Sequence, residues 1–527
     1  MNQITKYTAF AGVCAVAGVV SFFSQKENRF DLNIEKDIVL TSQTEQDLIL
    51  HTQIKLFSEL LKQSDVLHFE RDKTGSKIQI DGVPGIGRLT GHINSVLEYT
   101  NYTRIGGDVK SFSIKGVDTS GTFAYSVNTD GIVDGLILLP GLDKAFTLAP
   151  TYYKQEFVFK EVDIHTIVCH KHPGTSSDTD DPQSEGTAAT SMVSTGTVNT
   201  STVIPKLNSN INASVHLYLN FGGEVVRDVL WDGGKVINAL PTQLSVSEIQ
   251  NVWSLVSQRY SAFNINITTD PLLYNNAKPG SRMKVIITPT NDWKKGFGGY
   301  AFISSLRLAG IGVFSPNIPC FVFTSALSNN TKYIGEAVAH ELGHTLGLFH
   351  DGSKTTTYYS GQGNWAPVMG NSYYKDIVHF SKGEYLNANN KQDDVATITN
   401  YVKVSNNITS TITNNNIRAN GVICNGTYKC VYNIPITSSG SLTVSVNVPK
   451  FSGLNTVLEI FNNNQLIKKS NPINDLNSNL DVLVKPGLYQ VVVSGEGEGS
   501  ALTNGYSSYG NIGAFTLNGT VIPQALK

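Results

Sequence analysis

Hydrophobic and polar residues alternate along several stretches of the chain with the two-residue period of a β-strand. In the stretch VHLYLNF, Val215, Leu217, Leu219 and Phe221 fall on one face, and the residues between them fall on the other. Each such stretch is predicted to form a strand. Residues 263–267 alternate in the same way. The runs at 284–288 and 320–324 also predict strands, and 284–288 is predicted to be central in its sheet.

Helical spacing appears between and after these predicted strands. Ser245 and Glu248 stand three residues apart, as in a capping box, and the apolar residues that follow them recur at helical intervals. A second helix is predicted after the cap candidates at 329–331, and a third in the stretch DDVATITNYV. Strands that alternate with helices predict an α/β domain with a mixed, twisted sheet over residues 206–402.

The regions on either side of this domain have the pattern of β structure. Residues 25–173 contain short β-like runs broken by glycine and aspartate, which predicts a β-rich domain. Residues 408–527 consist of short alternating runs separated by turn residues, which predicts a β-sandwich. The chain is therefore expected to be a multidomain protein.

Two further stretches lack the pattern of a folded domain. Residues 1–24 hold a lysine followed by an apolar run, which is typical of a secretory signal peptide. The alternative is an uncleaved signal anchor in a membrane, because no small-residue cleavage site closes the run. Residues 174–205 are small and polar without periodicity, which predicts a flexible linker that proteases can reach.

The net charge, the cysteines and the sequons indicate which partners and which covalent modifications to expect. The net charge of −2 leaves no basic excess to neutralise phosphates, so no nucleic-acid partner is expected. In an oxidising compartment, Cys424 and Cys430 of the stretch CNGTYKC are predicted to form a disulfide. Sequons that permit glycosylation lie at Asn101, Asn199, Asn212, Asn266, Asn329, Asn407, Asn425 and Asn518.

The stretch HELGHTLGLFHD concentrates ionisable side chains in an otherwise apolar segment. His340 and His344 are four residues apart on one helical face, where two imidazoles can bind one Zn²⁺. Gly347 lets the helix end and the chain turn back, which would return His350 as a third ligand. Three protein ligands leave the fourth position open, as in a catalytic zinc site, and Glu341 stands where a general base belongs.

This stretch resembles the zinc-binding signature of the metzincin peptidases. Asp351, directly after the third histidine, resembles the reprolysin or adamalysin type. The resemblance covers residues 210–402 and implies an α/β metzincin domain with an active-site helix and a C-terminal helix. It also implies one catalytic zinc ion, protein or peptide substrates, and Glu341 as the general base of peptide-bond hydrolysis. An extended substrate would lie along an edge strand, for which residues 298–304 are the candidate.

Other metzincin features can be carried over one residue at a time. Met369 in WAPVMGNSYY matches the structural Met-turn of the family, with ordinary core packing as the alternative. The tyrosine ligand that some metzincins place two residues later is not carried over, because Asn371 occupies that position. Packing or surface roles are expected for Tyr373 and Tyr374, with contact to the site as the alternative.

Cys169, just before the predicted linker, is the candidate for a latency ligand. In several metzincin groups a prodomain cysteine occupies the fourth zinc position until the linker is cut, and residues 25–173 would be such a prodomain. The sequence around Cys169 does not match the matrixin switch motif. A disulfide between Cys169 and Cys320, or two free buried thiols, is the alternative.

Together, these expectations predict a secreted zinc endopeptidase that is made as a latent zymogen. The C-terminal region, with the stretch GYSSYGNIGAFTLNG, resembles the pre-peptidase C-terminal β domains of secreted bacterial proteases. Calcium is compatible with such a chain, but no residue pattern indicates a calcium site. Two alternatives stay open: a non-enzymatic adhesion protein on the same scaffold, and a zinc hydrolase of a non-peptide amide. His170 and His172 are expected to be exposed linker residues, with extra metal ligands as the alternative. The other histidines lack ligand spacing and are expected to be structural or surface residues: His51, His68, His92, His165, His216 and His379.

Overall fold

The computed structural model describes most of the chain from residue 203 onwards and the strands of the region before it. The predicted signal peptide, Cys169 and all but the last three residues of the predicted linker lie outside the described residues. Within the described part, no helix is long and apolar enough to cross a membrane. The described residues are 38–39, 51–52, 77–83, 86–98, 103–111, 119–128, 131–150, 157–162, 164, 167–168, 203–310, 314–354, 356–405 and 408–523.

The N-terminal region is built on a seven-stranded antiparallel sheet. Its strands follow chain order, so each one pairs with the next. The prediction of β structure for this region is confirmed. Its strands are the short pair β1 (Ile38–Val39) and β2 (His51–Thr52), and the sheet strands β3 (Lys77–Val83), β4 (Gly87–Glu98), β5 (Thr103–Ser111), β6 (Thr119–Asn128), β7 (Gly131–Leu139), β8 (Lys144–Pro150) and β9 (Phe157–Val162).

The middle region contains a five-stranded mixed sheet. The parallel strands are β10 (Val215–Asn220), β13 (Ile265–Thr268), β14 (Arg282–Thr288) and β16 (Pro319–Phe323), and β15 (Gly299–Tyr300) is antiparallel. The order across the sheet is β13, β10, β14, β16 and β15, so β14 is central, as predicted, and β15 lies at an edge. Two small pairs complete the region: β11 (Glu224–Val226) with β12 (Ile237–Ala239), and β17 (Trp365–Pro367) with β18 (Ile377–His379).

Five described helices belong to this middle region, and local sequence sets where they begin. The predicted capping box forms at the first helix, where Ser245 and Glu248 satisfy each other's backbone N–H groups. Asn330 caps the fourth helix by accepting from the N–H groups of Lys332 and Tyr333. The helices are α1 (Val246–Arg259), α2 (Pro271–Asn276), α3 (Ser305–Gly310), α4 (Thr331–Thr345) and α5 (Asp394–Tyr401).

One hydrophobic core joins the sheet of the middle region to its helices. Ile249 and Val252 of α1 and Val338 of α4 are fully buried in it. The same core includes Ile164 and Val168 from the end of the N-terminal region, which are also buried. The N-terminal region is therefore packed against the middle region and shares its core.

The C-terminal region is a sandwich of two antiparallel sheets, as predicted. One sheet has the order β19, β20, β27, β22, β25, and the other has the order β21, β26, β23, β24. Inward-facing residues of both sheets form a separate core. The strands are β19 (Thr409–Thr413), β20 (Asn416–Ile423), β21 (Lys429–Ile436), β22 (Gly440–Asn447), β23 (Thr456–Asn462), β24 (Gln465–Ser470), β25 (Ser478–Val484), β26 (Gly487–Gly495) and β27 (Gly513–Pro523).

The cysteines correct two expectations. The predicted disulfide between Cys424 and Cys430 is not formed, because both are free, buried thiols. Their sulfurs lie 4.0 Å and 3.6 Å from the carbonyl oxygen of Val422, so both thiols face this shared acceptor. Cys320 is also free and buried, and its thiol lies 3.7 Å from the carbonyl oxygen of Lys284. This removes the alternative of a disulfide between Cys320 and Cys169.

Replacing Ser245 by alanine is expected to destabilise the middle region by about 1 kcal/mol, because the α1 N-terminus loses its side-chain acceptor. Ser254, on the same helix, is the matched control, and Ser254→Ala should be neutral or slightly stabilising since alanine favours a helix. All four tryptophans of the chain lie between residues 231 and 365. Urea unfolding followed by tryptophan fluorescence therefore measures this region, and equal unfolding midpoints for the two variants would contradict the prediction.

Candidate metal centre

Helix α4 brings two histidines to one face because they are separated by four residues. His340 and His344 are both buried. The Nδ1 atom of His340 donates to the carbonyl oxygen of Val368 at 3.0 Å, and the Nδ1 atom of His344 donates to that of Leu348 at 2.7 Å. These hydrogen bonds fix the orientation of both rings and place their Nε2 atoms towards the same point.

The end of α4 returns a third histidine to this point. The helix ends at Thr345, and Gly347 has a φ of 102°, a left-handed conformation that favours glycine. The chain then turns back, with the N–H of Leu348 donating to the carbonyl oxygen of Gly343. His350 thereby joins the other two, and ligand atoms of all three rings lie within 4.8 Å of one another.

The distances between the rings indicate a cation site. The Nε2 atom of His344 is 3.1 Å from that of His340 and 3.0 Å from that of His350. Carbonyl oxygens only accept hydrogen bonds, so the proton of neutral His340 and of neutral His344 must be on Nδ1. Their Nε2 atoms then carry lone pairs, and the contact between them is repulsive. A shared metal ion removes this repulsion.

The donor set fits a tetrahedral divalent ion. Zinc–nitrogen bonds of about 2.05 Å at tetrahedral angles would separate ligand nitrogens by about 3.3 Å, close to the distances found. Burial lowers the pKa of His340 to about 4 and lowers that of His344 well below its usual range. Both rings are therefore neutral at neutral pH, which is the state that binds a metal.

Glu341, the residue after His340 on α4, lies in a buried environment that raises its affinity for a proton. Glu341 is buried, and its Oε2 atom has no hydrogen-bond partner among the described residues. Burial raises the pKa of its carboxyl group well above the usual range, which makes the carboxylate a stronger proton acceptor. The other carboxylate oxygen, Oε1, lies close to Gly299. A Cβ atom added at Gly299 would come within 2.4 Å of this oxygen.

Met369 lies directly beneath the helix that carries the histidines. Its side chain is fully buried, and a Cβ atom on Gly343 would come within 2.5 Å of its sulfur. Its carbonyl oxygen accepts from the backbone N–H of Asp351, which is also fully buried. The turn that holds Met369 is thus hydrogen-bonded to the segment that delivers His350. Sequence reasoning placed Met369 in such a structural role.

Three tyrosines lie near the metal-binding helix, and one of them contacts the histidine rings. Tyr373 and Tyr374 pack on Tyr333 at the start of α4, with ring centroids 5.3 Å and 5.5 Å from it, which agrees with packing roles. Tyr358 was not singled out from the sequence. Its ring centroid lies 4.4 Å from that of His350 and 5.9 Å from that of His340. No local signal marked Tyr358, since its contact with the rings depends on the path of the loop.

The predicted edge strand at residues 298–304 is shorter than expected. Only β15 (Gly299–Tyr300) pairs with β16, and the chain then leaves the sheet. Phe302 instead forms an antiparallel bridge with Val168, and the N–H of Ile303 donates to the carbonyl oxygen of Ile167. The end of the N-terminal region therefore takes the pairing that would have extended the strand.

Comparisons with known proteins add little to this geometry. No protein-family model and no curated protein matches the chain. Among solved structures, the chain is similar to the crystal structure of the pre-peptidase C-terminal domain of a collagenase from Bacillus anthracis. The identity is 17% and the TM-score 0.16, over 21% of this chain and 93% of that one. This likeness has no bearing on the chemistry of the histidine cluster.

The histidine cluster is expected to bind one Zn²⁺ per chain, and His344→Ala should abolish this binding because His344 contacts both other rings. His92, an exposed residue of the N-terminal sheet, provides the control, and His92→Gln should still bind one ion. Metal content measured after equilibrium dialysis checks both variants. Full zinc occupancy in a folded His344→Ala protein would contradict the site.

Proposed function

We propose that this chain is a zinc-dependent endopeptidase of the metzincin kind that is made in a latent form. The observation that carries the proposal is the convergence of three imidazole Nε2 atoms beside a buried glutamate at the edge of a sheet. His340, His344 and His350 would hold the ion, and Met369 lies below them as in the metzincin signature. When bound there, zinc supplies Lewis acidity that lowers the pKa of water and polarises a carbonyl group.

Glu341 is the proton carrier in this proposal. Its carboxylate has a raised pKa and one buried oxygen with no hydrogen-bond partner in the described part of the chain, so it can accept a proton from the attacking water. The same carboxyl group can then donate that proton to the nitrogen of the leaving amine. Gly299 leaves the space in which this side chain lies, so the base is held between α4 and β15.

The position of the base next to β15 favours a peptide substrate. An edge strand presents backbone N–H and C=O groups with which an extended peptide can pair. Because Gly299 of β15 contacts Glu341, a peptide bond held along this edge would lie near the base. This arrangement supports endopeptidase activity over hydrolysis of a small non-peptide amide.

Contacts at the end of the N-terminal region support latency. Val168 is buried and pairs with Phe302, two residues beyond the edge strand. The N–H of Ser304 donates to the carbonyl oxygen of His344, so this segment is also joined to the metal-binding helix. Cys169 follows Val168 directly but lies outside the described residues, and its role as a latency ligand stays a prediction. An N-terminal region anchored here would obstruct the approach to the centre until the linker is cut.

Glu341→Gln is expected to lower peptide hydrolysis by about 10²–10⁴-fold, because the amide cannot accept the proton from water. Cleavage of an unfolded protein substrate would be measured for wild type and variant, each before and after proteolysis of the linker. Only the processed, zinc-loaded wild type should be active, and a chelator should abolish its activity. If processed, folded and zinc-loaded wild type cleaves nothing, the endopeptidase proposal fails, and a binding role is favoured.

Gly299→Ala tests the placement of the base without altering a metal ligand. The added methyl group would overlap the Glu341 carboxylate, so hydrolysis should fall at least about tenfold, the scale of a displaced catalytic group. Zinc content should stay at one ion per chain. Gly222→Ala is the control, because the nearest atom to a Cβ there is the Cδ1 atom of Ile204 at 3.3 Å. Full activity of a folded Gly299→Ala protein would contradict the assigned position of Glu341.

A further inference from the structure

Two loops of the C-terminal sandwich pack against the strand pair β17 and β18, which lies on either side of the turn that holds Met369. The 448–455 loop connects β22 with β23, and the 496–512 loop connects β26 with β27. Gln362, just before the turn, donates through Nε2 to the carbonyl oxygens of Ala501 and Gly505 at 2.7 Å and 2.6 Å. Trp365 and Tyr385 share a buried aromatic cluster with Tyr506 of the second loop. The sandwich is therefore in direct contact with the segments that flank the Met369 turn.

His379 is the residue on which these contacts converge. Its Nε2 atom donates to the carbonyl oxygen of Gly453 at 2.8 Å, and its Nδ1 atom accepts from Trp365 Nε1 at 3.1 Å. Its ring also packs edge-on against Tyr506, with centroids 5.2 Å apart. Burial lowers the pKa of His379 to about 4, so the ring stays neutral and keeps this pair of hydrogen bonds at neutral pH.

A continuous series of hydrogen bonds leads from His379 to a histidine of the metal centre. The backbone N–H of Val368 donates to the carbonyl oxygen of His379 at 2.8 Å. The carbonyl oxygen of Val368 accepts from His340 Nδ1 at 3.0 Å. Gly453 of the sandwich is thus connected to His340 through His379 and Val368, both of which are buried.

A second connection reaches the same helix from another side. Arg259 forms a buried, bidentate ion pair with Glu336 of α4, with N···O distances of 2.6 Å and 3.1 Å. The remaining guanidinium nitrogen of Arg259 donates to the carbonyl oxygen of Phe451 at 2.7 Å. The 448–455 loop therefore contacts Arg259, which forms the ion pair with Glu336 of α4, and also contacts His379.

Glycine permits this close approach of the loops. A Cβ atom on Gly453 would come within 2.8 Å of His379 Cδ2 and within 3.0 Å of the carbonyl oxygen of Val378. A Cβ atom on Gly510 would come within 2.6 Å of the Cβ atom of His379. Both loops meet His379 at positions where a side chain would separate the two regions.

We propose that the C-terminal sandwich is a structural part of the metal centre, in which the 448–455 loop holds His379 and His379 positions His340 through Val368. His379 is a positioning residue, since it acts through Val368 and does not reach the ion. The proposal rests on the zinc site proposed above. Its consequence is that loosening the sandwich contact weakens metal binding even where every ligand is intact. Residues that orient a metal ligand typically change metal affinity about 10–100-fold when they are altered.

The test compares two glycine substitutions in the full chain. Gly453→Ala would push the loop away from His379. Gly440→Ala, the matched control, would disturb the sandwich alone, because a Cβ there meets the carbonyl oxygen of Ile522 at 2.2 Å. The rate of zinc release to an excess of a chromogenic chelator is measured for each zinc-loaded protein, with thermal unfolding recorded in parallel. Gly453→Ala should release zinc about 10–100-fold faster than wild type, and Gly440→Ala at about the wild-type rate.

Trp365→Phe provides a second variant that adds no atoms. It removes the indole N–H that donates to His379 and should also accelerate zinc release, even if Gly453→Ala does not fold. Unchanged release from folded Trp365→Phe, or equal acceleration by Gly453→Ala and Gly440→Ala, would overturn the inference while leaving the zinc site in place. A wild-type chain that takes up no zinc would overturn the zinc site and the inference together.

Discussion

Three imidazole nitrogens that meet at one point are the constraint on which the rest of the site depends. With Nδ1 of His340 and His344 committed to backbone carbonyls, their Nε2 atoms offer only lone pairs. Lone pairs at this separation repel each other unless a cation lies between them. The carbonyls of Val368 and Leu348 therefore do more than anchor two rings, because they set the tautomer that makes the cluster a ligand set.

Close approach of backbone and side chain is the second requirement of the site. Gly343 leaves room for the sulfur of Met369, and Gly299 leaves room for the carboxylate of Glu341. Gly347 has a left-handed φ that lets the chain turn from the helix to the third histidine. At Gly343 and Gly299 a Cβ atom would overlap Met369 or Glu341, and at Gly347 a side chain would strain the left-handed backbone.

The N-terminal and C-terminal regions both contact the middle region near this centre, so the three regions are not structurally independent. Val168 of the N-terminal region lies in the core of the middle region and pairs beside the edge strand. The C-terminal sandwich contacts β18 of the middle region, through the hydrogen bond between Gly453 and His379. In the proposals made above, the N-terminal region would obstruct the approach to the centre and the sandwich would hold the residues behind His340, which are distinct physical roles.

Sequence alone determined the features that depend on neighbours within a few residues. The spacing of His340 and His344, the turn at Gly347, the cap at Ser245 and the alternation of the strands are local, so their periods and residue types predict them. Tertiary structure decided the rest. The contact of Gly299 with Glu341, the hydrogen bond between Gly453 and His379 and the shortened edge strand all depend on segments distant in sequence, whose packing no local period encodes.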